Sequence, residues 1–232
     1  MYLNRAMRRK ADSIARGRPA TPDLHKTIAA GEAYAKNTPL IGMGPDFVRW
    51  VAEMIEAHGM PPVHRRSAVA HEAGHAVVAM SMGATITKLS VMQDADMRSL
   101  WGGWCAYQWP EGVEHQQIHA LKRPLEATHT LLNTLAGLAG EFAGGYGHPA
   151  SSLDEQYAAL GLCRGVADVK QIDMEELFHQ LLEEAGRRIE LNKPLFDAIA
   201  TAMHDRDVLE GDDIAGLVAE HSVEQSPVVP AW

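Results

Sequence analysis

Apolar positions recur at helical spacing through most of the chain and alternate in one region only. Thr21-Pro22-Asp23 opens a predicted helix that fades near Asn37-Thr38-Pro39. Pro45 opens a second, with Phe47, Val48, Val51, Met54 and Ile55 on one face and Gly59 at its end. Pro61-Pro62 separates this pair from a third helix, in which Val69, Ala73, Ala76, Val77 and Met80 form a stripe. Ser67 is its predicted N-cap and Gly83 its end. The period then changes: Thr85 to Val91 alternates as a strand does, Asp94-Ala95-Asp96 has turn chemistry, and Gly102 to Trp109 is the predicted returning strand.

Helical periodicity resumes after Pro124. Leu131, Leu132, Leu135, Leu138 and Phe142 make one apolar face of a helix from Leu125 to about Gly144, and Ala136, Gly137, Ala139, Gly140 and Ala143 leave room for a neighbouring backbone. Glycine and proline between Gly144 and Pro149 end it, and Ser151 or Ser152 can cap the next helix. Asp173 and Glu176 start a helix containing Leu177, Leu181, Leu182 and Ile189, and Pro194 opens another with Leu195, Ile199 and Met203. The expected organisation is an N-terminal helical extension over 1–60, a domain over 61–221 and a loose tail over 222–232.

Charge sharpens this division. The net charge is −9, yet residues 1–20 hold six basic residues against Asp12 alone, so that segment carries +5 and the remainder −14. A body so acidic makes nucleic acid an unexpected partner, and residues 1–20 read as a solvated, flexible end. Cys105 and Cys163 are isolated, with no framework or Cys-x-x-Cys spacing, which suits a reducing compartment. No apolar run reaches the ~20 residues of a membrane span and no secretory signal follows the basic start, so a cytoplasmic protein is expected.

The chemistry lies in the third helix. His71-Glu72-Ala73-Gly74-His75 places two imidazoles four residues apart, on one helix face and able to meet one metal ion, with Glu72 beside them. This is the pattern of a zinc hydrolase in which the glutamate serves as general base. The helix is apolar around these groups, and a buried cation would satisfy them. A third protein ligand is required, and Asp154 is the first choice, with Glu155, Asp168 and His148 as competitors. Glu141 could bond the free ring nitrogen of a metal-bound histidine. His115 and His119 make another spaced pair, without a carboxylate, and read as surface. The predicted hairpin could hold an extended peptide by its edge, or only cap the core.

Ala70 to Ala76 resembles the peptidase domain of the FtsH family of zinc proteases. Gly103 to Glu111 is similar to that family's strand after the zinc helix, Leu135 to Glu141 resembles its Ala-Gly-x-Ala-x-Glu helix, and Ser152-Leu153-Asp154 falls where the family places an aspartate ligand. Arg206 to Ile214 looks like its closing segment, so the resemblance spans roughly 67–217. It implies a mainly α, zincin-like helical metallopeptidase domain with a small β-hairpin or sheet next to the His-Glu-x-x-His helix. It implies Zn²⁺ on His71, His75 and Asp154, and Glu72 as the catalytic base. The sequence has no Gly-x-x-x-x-Gly-Lys-Ser/Thr loop, so a peptidase unit without its own ATPase is expected, acting on loose polypeptides or supplied by a delivery partner or homo-oligomer. A zinc-binding regulatory protein without catalysis, and a zinc hydrolase with a non-peptide substrate, are the alternatives.

Overall fold

The helix that carries the two histidines is buried without interruption from Ser67 to Ser81. The computed structural model describes Ala57 and residues 63–95, 100–110, 128–146 and 152–226, the side chains of Leu153, Asp154 and Tyr157 excepted. The basic segment 1–20, the predicted helices over 21–59, the His115–His119 pair and His148 lie outside the described residues, but for Ala57.

The described elements run α1 (Arg65–Ser81), β1 (Thr85–Gln93), β2 (Trp101–Gln108), α2 (Thr128–Ala143), α3 (Leu153–Lys170), α4 (Met174–Leu191), α5 (Lys193–Asp205), β3 (Val208–Glu210) and α6 (Gly211–His221). The architecture is mainly helical with one small antiparallel sheet in the order β2-β1-β3. In register, Leu89 faces Cys105 on one side and Leu209 on the other. β3 is too short to show a period of its own, and nothing in the sequence pattern announces it.

α1 packs against α2, β1, β2, α4 and α5. Its small side chains explain how so many neighbours fit: Ala68, Ala70, Ala73, Ala76 and Ala79 are all buried. At the crossing with α2 the two backbones touch. A Cβ on Gly140 would fall 2.8 Å from Gly74 Cα, and one on Gly74 would fall 2.8 Å from Gly140 Cα, so no larger residue fits at either position. The predicted stripe of small residues on α2 therefore has the use expected of it. Leu131, Leu135 and Leu138 of α2 join Phe178, Leu182 and Ile189 of α4 in the same core.

Two expectations about local structure need correcting. Ser67 is not the N-cap of α1. That place belongs to His64, and the Ser67 hydroxyl donates instead to Glu141 Oε2 at 3.1 Å, because a buried carboxylate is the stronger acceptor. Nor is the start of the tail loose. Ser226 N–H donates to Ser81 O at 3.0 Å, Arg188 Nη1 donates to Ser226 O at 3.1 Å, and Glu224 N–H donates to Asn192 Oδ1 at 2.7 Å. Residues 222–226 are thereby tied to the end of α1 and to α4. Other predicted signals hold: Asp173 accepts from Glu176 N–H at the start of α4, and Pro194 lies in the first turn of α5.

Candidate metal centre

Helical spacing puts His71 and His75 on one side of α1, and their Nε2 atoms lie 3.0 Å apart. The opposite edge of each ring is held by α2. Glu141 Oε1 lies 2.8 Å from His71 Nδ1, and Asn133 O lies 2.8 Å from His75 Nδ1. Glu141 is completely buried, so the partner anticipated for a histidine ring is present and is not an exposed flank. Asn133, Gly137 and Glu141 follow one another at intervals of four and share one face of α2. The middle one has to be glycine, since a Cβ there would overlap the His71 ring.

These hydrogen bonds fix the tautomers. A carbonyl oxygen only accepts, so His75 carries its hydrogen on Nδ1, and a carboxylate asks the same of His71. Each neutral ring then turns an Nε2 lone pair toward the other. From α3, Glu155 brings a carboxylate into the same space, Oε2 3.1 Å from His71 Nε2 and Oε1 3.2 Å from His75 Nε2. Glu155 Oε2 is buried and accepts no hydrogen bond among the described residues.

Three lone-pair atoms this close repel unless something positive lies among them. His71, His75 and Glu155 can each offer one ligand atom, all within 4.8 Å of one another. The edges of a zinc tetrahedron with bonds of 2.0–2.1 Å are about 3.3 Å long, close to the separations found here. The donor set therefore fits a divalent cation. Without one, protons must take its place. Burial alone would lower the His71 imidazole, but the Glu155 and Glu141 carboxylates outweigh it and hold that ring well above its ordinary value. Burial would likewise raise Glu155, but His75 and His71 hold it far below the usual carboxylate range.

Glu72 is buried next to this cluster, one residue round the helix from His71. Burial raises its carboxyl, while His71 and His75 pull the other way. Its side chain lies against Gly103 of β2, where a Cβ would stand 2.6 Å from Glu72 Oε1. Cys105 follows on the same strand. Its thiol is pushed well above its ordinary value, by burial first and then by the charges of Glu72 and Glu155, so it is no nucleophile.

The structure thus brings together His71, His75, Glu72, Glu141 and Glu155. Asp154 stands beside Glu155 in the first turn of α3, and its side chain lies outside the described set. Asp168 is exposed near the far end of that helix, about 20 Å along it from Glu155, and takes no part in the cluster. Sequence reasoning passed over Asn133 and Tyr107, whose contacts depend on tertiary packing. One signal was available for Asn133: it lies four residues before Gly137 and eight before Glu141, on a stripe otherwise made of small or functional residues. No protein-family model matches this sequence, and the curated proteins contain no match to it.

Proposed function

We propose that the protein is a zinc-dependent metallopeptidase of the FtsH-like, zincin-like kind, working without an ATPase of its own. The observation that carries this reading is the meeting of His71, His75 and the Glu155 carboxylate within 3.2 Å, with the buried Glu72 carboxylate alongside. His71, His75 and Glu155 would hold the ion. Bound there, zinc supplies Lewis acidity, polarising a carbonyl group and acidifying water to near pH 7.

The remaining work falls to the protein. Glu141 and Asn133 O keep both rings in the tautomer that offers Nε2. Glu72 accepts the proton of the attacking water at its carboxylate and delivers it to the leaving amine nitrogen; a carboxyl raised by burial can perform both halves of that transfer. β2 is the outer strand of the sheet and passes Glu72 at Gly103, where an extended polypeptide could be laid beside the site. The substrate class that suits this arrangement is a loose or unfolded polypeptide, arriving alone or through a delivery partner. Among the described residues no helix is long and apolar enough to cross a membrane, and the two unpaired cysteines fit a cytoplasmic setting.

The test combines metal analysis with cleavage of an unfolded protein such as casein, with and without a chelator. Glu72→Gln is expected to keep its zinc and to lose on the order of 10²–10⁴ in hydrolysis. Wild-type protein that binds zinc and cleaves no polypeptide would be a binding protein instead.

A further inference from the structure

Ser67 stands at the head of the stripe that carries the two imidazole rings. Ser67, His71 and His75 follow at intervals of four on α1 and so share one face, opposite Glu141, Gly137 and Asn133 of α2. A helical serine commonly donates to the carbonyl four residues earlier. Here that carbonyl, Val63 O, accepts Trp101 N–H at 3.0 Å, and the Ser67 hydroxyl reaches across to α2 instead. Two acceptors lie near it, Glu141 Oε2 at 3.1 Å and Tyr146 O at 3.5 Å. A hydroxyl has one hydrogen, and the nearer, charged acceptor takes it.

The two oxygens of Glu141 are thereby engaged at different points of α1. Oε1 lies 2.8 Å from His71 Nδ1, and Oε2 receives the Ser67 hydroxyl one turn away. This division matters because the torsion that turns a carboxylate about its last carbon–carbon bond is soft. Held through Oε1 alone, the group could swing and draw the imidazole with it. Held at both ends, its plane is fixed, and with it the ring whose Nε2 faces His75 and Glu155. Ser67 and Glu141 are both buried, so bulk water does not compete for this bond.

Resting on the metal-binding part of the reading above, and not on peptide cleavage, we propose that Ser67 is a positioning residue of the metal centre. Its hydroxyl locks the Glu141 carboxylate, and through that carboxylate it aims His71 Nε2 at the ion. Ser67 makes no hydrogen bond to His71, His75 or Glu155 among the described residues, so its effect on the ion passes through Glu141.

The experiment uses the full-length protein, Zn²⁺ in competition with a coloured chelator, and Co²⁺ as a visible substitute for zinc. Ser67→Ala should weaken zinc binding on the order of tenfold, the lower end of the roughly 10–100-fold that loss of an outer partner costs. It should also move the visible absorption band of the Co²⁺ protein, which reports ligand geometry and which a change in fold stability alone would leave in place. In a Glu141→Ala background the same substitution should change neither quantity, because no carboxylate remains to be held. An equal loss of affinity in both backgrounds would overturn the inference, since Ser67 would then serve the packing of α1 and not the carboxylate. Wild-type affinity and an unmoved Co²⁺ band in Ser67→Ala would overturn this inference alone. Wild-type protein that takes up neither Zn²⁺ nor Co²⁺ would overturn the metal reading, and this inference with it.

Discussion

Asp154 and Glu155 are neighbours on α3, and on a helix that difference is a rotation of about 100°. Sequence spacing cannot choose between them, because the choice depends on which side of α3 faces α1. Glu155 has a described carboxylate 3.1 and 3.2 Å from the two ring nitrogens, which makes it the expected third ligand. Glu155→Ala should weaken zinc binding by more than the roughly 10–100-fold typical of losing an outer partner, Glu141→Gln should fall within that range, and Asp154→Ala should leave binding unchanged. Competition with a coloured chelator would measure all three. A collapse of affinity in Asp154→Ala alone would return the ligand role to the aspartate. At this scale the histidines and Glu72 were readable because their motif is local. The contact between Tyr107 and Asn133 was not, since it joins residues of two different elements.

The pair α1–α2 is the element on which the site depends. Its contacts run in opposite order along the two helices: Asn133 meets His75, Gly137 meets His71, and Glu141 meets both His71 and Ser67. Closeness of the backbones is what lets a carbonyl oxygen of α2 reach an imidazole of α1. Gly140→Ala should force the helices apart, at about 1–3 kcal/mol in stability, as overpacking does. It should also weaken zinc binding, although residue 140 touches no ligand. A chemical denaturation curve with a zinc titration checks both effects, and destabilisation with unaltered zinc affinity would show that the orientation of the rings does not depend on the crossing. The stripe of small residues was visible in the sequence as a contact surface. What it contacts was not, because such a stripe fits any close neighbour. Arg188 gave no signal of its place: it is fully buried, donates to Glu184 and ties down Ser226.

For the molecule as a whole, the cluster is expected to make stability depend on pH and on any ion it holds. The folded protein raises His71, so that ring contributes stability that is complete below pH 6.5 and is lost as pH climbs through the raised value. It depresses Glu155, whose contribution is present above pH 4.5 and is lost on acidification. Glu72, raised by burial, contributes stability that is complete below pH 4.5 and is lost as pH rises through its raised value. His71 and Glu155 together therefore support the metal-free protein most fully between pH 4.5 and 6.5. Zinc is expected to reverse the alkaline loss, because it would bind the deprotonated ligands. Thermal melts in chelator should decline as pH rises above 6.5, whereas melts in excess zinc should hold, with about 2.7 kcal/mol gained at a hundredfold excess over Kd. Parallel curves would mean that the cluster takes up no ion.

The burial of α1 has a kinetic corollary. His71 and His75 are 5% and 7% exposed, and Glu155 closes over them from α3. An ion held by these three side chains would leave only after Glu155 lets go, so its residence time would follow the motion of α3 and not affinity alone. Dilution would then strip the protein slowly, and zinc would be loaded most readily during folding.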